Sequence, residues 1–180
     1  MMPHERLLEM LATRSARTGS ITLTSGRQSN LYIDARMTTM SPDGLATIGS
    51  LALAALRDSG WNPDAVGGLT LGADPVATAM LHAAAARGRK LDAFVVRKSE
   101  KAHGMQRRIE GPDVAGRRVL AVEDTSTTGS SVLTAVDALT EAGAIVVGVA
   151  VVVERGARQK VADRGLPYVA AFELADLGLG

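Results

Sequence analysis

Apolar residues fall into two rhythms along this chain. Short unbroken runs alternate with stretches in which apolar side chains recur every three or four positions. The runs read as buried strands and the spaced stretches as helices with one face inward. The pattern predicts strands over Ala65–Leu71, Asp92–Val96, Arg118–Val122, Ile145–Val153 and Tyr168–Phe172. Helices are predicted over Asp74–Arg87, Gly129–Ala142 and Ala157–Asp163. In the second of these, Val132, Leu133, Val136 and Leu139 face inward and Gly143 marks the end. Unbroken apolar strands separated by helices imply an α/β fold, a mostly parallel central sheet flanked by helices on both faces. Ligands of such sheets sit at the carboxyl ends of the strands, where Gly72, Glu123, Asp124, Glu154 and Arg155 fall.

The first 40 residues do not fit this alternation and are expected to form a small hood. Residues 4–14 suit a helix, with Leu7, Leu8 and Leu11 on one face. Short strands are expected at Ile21–Leu23 and Leu31–Asp34, around the turn Ser25-Gly26-Arg27. Ser41 then caps a helix with Pro42 at its first position, and that helix ends at Gly60. Residues 97–113 are polar and aperiodic. No internal repeat, low-complexity tract or linker interrupts the 180 residues, a length that suits one domain with a substantial core.

Composition narrows the function classes. A content of 46% hydrophobic and 22% charged residues is that of a soluble globular protein. A net charge of +1 gives no general case for nucleic acid or an acidic membrane surface, and 3% aromatics gives none for stacking single-stranded bases. With no cysteine there is no disulfide framework, thiolate nucleophile or cysteine-held metal, and the cytoplasm is the expected compartment. The start, Met-Met-Pro-His-Glu-Arg, lacks the apolar segment of a signal peptide. The longest apolar run, Ile145–Val153 broken at Gly148, falls far short of the ~20 residues that span a bilayer.

The most informative stretch is residues 119–131, Val-Leu-Ala-Val-Glu-Asp-Thr-Ser-Thr-Thr-Gly-Ser-Ser. A buried strand running through a loop into a helix N-terminus presents N–H groups and a positive dipole end to an anion. Thr125, Ser126, Thr127, Thr128, Ser130 and Ser131 add hydroxyls, and Gly129 lets the backbone turn and approach closely. Glu123 and Asp124, placed at the strand end, are acceptors for ribose hydroxyls or a cation. Read blandly, the same stretch is a capped helix after a core strand. Arg97–Arg108 holds five of the chain's twenty Lys and Arg and one of its three His. It suits either a diphosphate-binding lid or a solvated basic loop.

The 119–131 stretch resembles the phosphoribosyl-diphosphate (PRPP) signature of type I phosphoribosyltransferases. Arg97-Lys-Ser-Glu-Lys-Ala-His-Gly104 resembles the catalytic loop of the orotate branch of that family, and the two motifs together with two more span nearly the whole chain. The resemblance implies transfer of 5-phosphoribosyl from PRPP to orotate, giving orotidine 5′-monophosphate and diphosphate in pyrimidine synthesis. It implies Lys101, His103 and Asp124 as catalytic residues. It implies a PRPP site made by Arg97, Lys98, Lys101, His103 and the whole run Glu123, Asp124, Thr125, Ser126, Thr127, Thr128, Gly129, Ser130 and Ser131. Lys98 and His103 would act within their own subunit, while Arg97 and Lys101 would reach into the neighbour's site, so a homodimer with shared sites is expected. Residues 97–111 would be a mobile lid.

Thr24–Asp34 resembles the same family's orotate-pocket segment, with Tyr32 and Ile33 against the ring. Thr127 is expected on the orotate side as well, and Arg155 to pair with the orotate carboxylate. Unaided, Tyr32 reads as a half-buried strand aromatic and Glu154-Arg155 as a strand-end salt bridge. The hood would be residues 1–40 with the C-terminal end, over the base. Mg²⁺ is the expected cofactor, carried in by PRPP with Glu123 and Asp124 helping indirectly and no dedicated protein ligands. Two family lysines are replaced, by Thr24 and Leu71. The turn at Gly72 would then hold diphosphate by backbone amides. A purine phosphoribosyltransferase and a non-enzymatic nucleic-acid-binding regulator are the rival readings. The loop and Arg155 speak against the first; the lack of a basic face or added module speaks against the second.

Overall fold

The structure is a computed structural model that describes residues 2–22, 26, 28–99 and 108–179. It opens with α1 (Pro3–Met10), a wider π-helical turn over Leu11–Ser15, and an antiparallel ribbon of β1 (Ala16–Thr22) and β2 (Gln28–Ile33). Then come α2 (Arg36–Thr39) and α3 (Pro42–Ser59). The alternation follows as β3 (Ala65–Leu69), α4 (Ala73–Ala85), β4 (Asp92–Val96), β5 (Ile109–Glu110), β6 (Arg118–Ser126), α5 (Ser130–Glu141), β7 (Ile145–Glu154), α6 (Arg158–Ala162) and β8 (Tyr168–Glu173). A short 3₁₀ turn, Leu174–Leu177, ends the described chain's regular structure.

These strands form one six-stranded sheet in the order β5-β4-β3-β6-β7-β8, parallel except for β5. All five residues of β3 are buried, which is why the sequence there is only small or aliphatic. On one face Val66, Leu120 and Val122 pack with Leu7, Leu11, Ile48, Leu56 and Met80. On the other, Val119, Ala121 and Val149 pack with Val132, Val136 and Leu139 of α5. Each buried Val, Leu, Ile or Met among these stabilises the fold by about 1.5–3 kcal/mol before conformational entropy is counted.

The topology fixes where a ligand can sit. From β3 the chain moves by α4 to β4 on one side; from the adjacent β6 it moves by α5 to β7 on the other. The two strands also part company. The β3–β6 ladder stops at Gly67↔Ala121, while β6 continues to Ser126 paired only with β7. The carboxyl ends of β3 and β6 therefore open a crevice at the switch point of the sheet.

Several elements differ from the sequence expectations. The strand expected to stop at Val122 runs to Ser126, so Glu123 and Asp124 lie within β6 rather than beyond it; its β7 partner extends as far. β1 starts at Ala16 instead of Ile21, since polar residues suffice for a ribbon exposed on most of its length. The aperiodic 97–113 segment contains β5, and its stem is closed by the Arg97 N–H donating to the Arg108 carbonyl at 2.8 Å. Helix α1 and the turn after it are sealed into the main core through Leu7, Met10 and Leu11, and the ribbon is anchored to the same core by Ile33 while most of its first strand stays exposed.

Candidate active site

The crevice holds a cleft of about 580 Å³. One wall is the segment from Ile33 to Arg36, and another is the Thr70–Gly72 turn, whose Thr70–Leu71 peptide is cis. Glu123, Asp124, Thr125, Thr127 and Ser131 form the floor and far side, and Lys98 stands at the edge.

The acid pair is the electrostatic centre. Glu123 is 5% and Asp124 8% exposed. Alternation along a strand normally sends neighbours to opposite faces. Here both carboxyls reach Gly72, because past Ala121 that edge of β6 has no strand beside it. A Cβ on Gly72 would stand 2.0 Å from Glu123 Oε1 and 2.6 Å from Asp124 Oδ1, so any larger residue there must push both carboxylates aside. The Asp124 N–H donates to Glu123 Oε1 at 3.3 Å, and the Thr125 N–H to Asp124 Oδ1 at 2.6 Å. Burial first, and the Asp124 charge second, push the Glu123 carboxyl up to about 8. Without ligand the pair therefore keeps a proton near neutral pH. Asp74 adds a third acid nearby, with Oδ2 accepting from the Thr70 hydroxyl at 2.6 Å and a buried Oδ1 that has no partner.

Beyond Ser126 the chain turns through Thr127 and Thr128 to Gly129, whose φ of +73° admits glycine readily. Gly129 is the N-cap of α5 and has no side chain to cap it; the Ser130 N–H donates weakly to Thr128 Oγ1 at 3.4 Å, and the N–H groups that follow are left for an anion. Thr128 Oγ1 and Ser130 Oγ are linked at 2.8 Å.

Arg155 follows β7, with its N–H donating to the Ser126 carbonyl at 2.9 Å. Its guanidinium is half-buried, which lowers its pKa, and Nε has no hydrogen-bond partner. The adjacent Glu154 is otherwise engaged. Burial alone raises its pKa, but the Tyr168 hydroxyl and the N–H groups of Arg158 and Gly156 outweigh that and hold it low. A buried cationic donor without a partner is a costly arrangement unless a ligand anion completes it.

A model of the phosphoribosyl transferase domain matches residues 36–169. The orotate phosphoribosyltransferase of Streptomyces avermitilis is 55% identical over 176 residues, 96% of either chain. The chain belongs to the orotate phosphoribosyltransferase family. Its members are glycosyl-transferring enzymes, and its fold is that of the type I phosphoribosyltransferases. The solved orotate phosphoribosyltransferase of Mycobacterium tuberculosis H37Rv with Fe(III) dicitrate superposes with a TM-score of 0.88 at 52% identity, over 99% of this chain and 100% of that one. The same enzyme solved with PRPP superposes with a TM-score of 0.84 at 47% identity, over 99% and 100%.

The cleft gathers Ile33, Lys98, Glu123, Asp124, Thr125, Thr127 and Ser131 of the expected residues. Ser126 is buried with its hydroxyl unpartnered and does not line the cleft; nor do Thr128, Gly129 and Ser130, which lead into and begin α5. Tyr32 is half-buried in the ribbon opposite Arg17, outside the lining. Arg155, the residue after β7, is tied to Ser126 at the end of β6 and does not line the cleft; it is not paired with Glu154 as an ordinary strand-end salt bridge would be. Arg97 pairs with Glu110 at 3.3 Å, at the stem of the loop. Lys101, His103 and Thr24 lie outside the described residues. Sequence reasoning assigned no role to Asp34, Arg36 or Asp74. The Asp-x-Arg spacing after a strand, and an acid in the first turn of α4, were the available signals.

Proposed function

We propose that this cleft is where PRPP and orotate react, with the acid pair Glu123–Asp124 at the ribose and the α5 N-terminus at the 5-phosphate. The reaction gives orotidine 5′-monophosphate and diphosphate in pyrimidine synthesis. The observation that carries this reading is the buried acid pair under the Gly72 turn, next to an uncapped helix N-terminus, at the switch point of the sheet.

The chemical demand is the departure of diphosphate from ribose C1 as the orotate ring nitrogen bonds to that carbon. Orotate is already an anion, so no strong general base is required. Arg155 would hold its carboxylate, Ile33 and Tyr32 would flank the ring under the ribbon as a hood, and Thr127 would line the boundary with the ribose. Lys98 and the loop residues Lys101 and His103 would stabilise charge that grows on the leaving group. Closure of residues 97–111 would exclude water, which otherwise hydrolyses PRPP.

Two hard carboxylates suit Mg²⁺ held through hydroxyls and water, with PRPP supplying most ligands. Among the described residues no group of three or more ligating side chains is arranged to hold a metal. Bound Mg²⁺ supplies neutralising charge to the diphosphate.

The protein would work as a homodimer with Arg97 and Lys101 crossing into the partner's site. Exposed large apolar side chains support an interface: Leu71, which lines the cleft, is 65% exposed, and Met37 and Met40, of α2 and just after it, are 54% and 70% exposed. The cytoplasm is the proposed compartment, in keeping with the absence of cysteine; no described helix is long and apolar enough to cross a membrane. Turnover measured in parallel with orotate, adenine and hypoxanthine tests the assignment. Product is expected with orotate alone; turnover of a purine base instead would overturn it.

A further inference from the structure

Among the described residues two cationic side chains line the cleft, Lys98 and Arg36. Arg36 is the better fixed. It begins α2 directly after the ribbon, and Asp34 grips it at three points. Arg36 Nε donates to Asp34 Oδ1 at 2.8 Å, Nη2 donates to Oδ2 at 3.0 Å, and the Arg36 N–H donates to Oδ1 at 3.2 Å. A guanidinium held along one edge has a set direction and keeps its remaining donors for a second anion. Nη1 has no hydrogen bond among the described residues, and the side chain, which lines the cleft, remains 43% exposed. Asp124 lies close enough for its charge to act on Arg36, which places the guanidinium near the acid pair.

Across the same cleft the Thr70–Gly72 turn offers backbone groups, an exposed leucine and a Thr70 hydroxyl already bonded to Asp74. A departing diphosphate gains most from fixed positive charge where its own charge grows. The turn cannot provide that charge through a side chain, because its residues Thr70, Leu71 and Gly72 are all uncharged.

We propose that Arg36, aimed by Asp34, binds the diphosphate group of PRPP and supplies from α2 the side-chain charge that the glycine turn lacks at Leu71. The inference rests on the reading of the cleft as the PRPP site. Asp34 is a positioning residue: it touches Arg36 and not the ligand. Were the pair only a surface ion pair, it would contribute little to stability and nothing to ligand affinity.

The test is calorimetric titration of the full chain with inorganic diphosphate, PRPP and ribose 5-phosphate, each with Mg²⁺. The proteins are wild type, Arg36→Ala, Arg36→Lys, Asp34→Asn, Asp124→Asn and the double variant Arg36→Ala/Leu71→Lys, each checked by thermal melting. Arg36→Ala should weaken diphosphate and PRPP by about tenfold or more, the loss expected for one charge-assisted contact. Ribose 5-phosphate, which lacks the diphosphate, should bind as in wild type. Arg36→Lys should recover part of the affinity, and so should Leu71→Lys added to Arg36→Ala. Asp34→Asn should give a smaller loss confined to the same two ligands. Unchanged diphosphate affinity in a folded Arg36→Ala protein overturns the proposal; if Asp124→Asn still loses PRPP in that case, the reading of the cleft stands without it. An equal loss for all three ligands also overturns it. If wild type binds neither diphosphate nor PRPP, the cleft reading itself fails.

Discussion

Gly72 meets Glu123 so closely that a Cβ on Gly72 would lie 2.0 Å from Glu123 Oε1. The contact joins the turn after β3 to the acid pair of β6 without any side chain between them. Gly72 has φ −61°, so alanine meets no backbone strain, and the effect of adding it falls on the carboxylates. Gly72→Ala should leave the melting temperature nearly unchanged. It should lower turnover at limiting PRPP by about tenfold or more, since ångström displacements in a reacting site cost that much. Steady-state kinetics alongside a melting curve check it; unaltered kinetics would separate the turn from the acids.

Burial of Glu123 has a consequence for stability. Its folded-state pKa is about 8 against an ordinary 4.5. A carboxyl whose pKa is raised by folding contributes stability that is full below pH 4.5 and is lost as pH rises through 8. Glutamine has no proton to lose. Glu123→Gln should therefore gain stability over wild type between pH 5 and pH 9, by on the order of a few kcal/mol at the alkaline end. Denaturant unfolding at both pH values measures this, and a difference that does not grow with pH contradicts the buried, proton-holding pair.

Much of this site could be read from residue order, and the remainder could not for physical reasons. The run Val119–Ser131 marks a strand, a loop and a helix start from local pattern alone, and the structure has all three. The end of β6 was misplaced because Glu123 and Asp124 look like loop residues, whereas a crevice beside the strand tolerates them within it. Arg36 was missed because its role depends on Asp34 and on a wall formed by residues distant in sequence, from Leu69 onward. Such contacts arise only when β2, β3 and β6 come together. The exposed ribbon carries little apolar signal, so its first strand was read five residues late.

Arg155 carries a half-buried guanidinium with an unpartnered Nε. Removing one partner of a buried charged pair typically costs about 2–5 kcal/mol of binding. Arg155→Ala should weaken orotate by that amount and PRPP far less. Separate calorimetric titrations of the two ligands decide the matter, and equal losses, or none, count against a carboxylate contact.

Sharing of sites between subunits is open to a mixing experiment. Lys101→Ala and Asp124→Asn should each be nearly inactive, the first for want of a leaving-group cation and the second for want of the ribose contact. If Lys101 serves the partner's site, a mixed dimer owns one intact site. Free exchange of subunits should then restore up to about one quarter of wild-type activity, since half the dimers are mixed and each has one working site of two. Exchange without recovery would show that Lys101 acts within its own chain.

Glu123 and Asp124 are the groups on which the proposed PRPP site depends most. The direct measurement is calorimetric binding of Mg²⁺·PRPP to wild type and to the double variant Glu123→Gln/Asp124→Asn, with orotate turnover on the same samples. The double variant should fold, bind PRPP at least about tenfold more weakly, as expected when charge-assisted contacts are lost, and show little turnover. A folded double variant with wild-type PRPP affinity and wild-type turnover would remove the acid pair from the site and contradict the account.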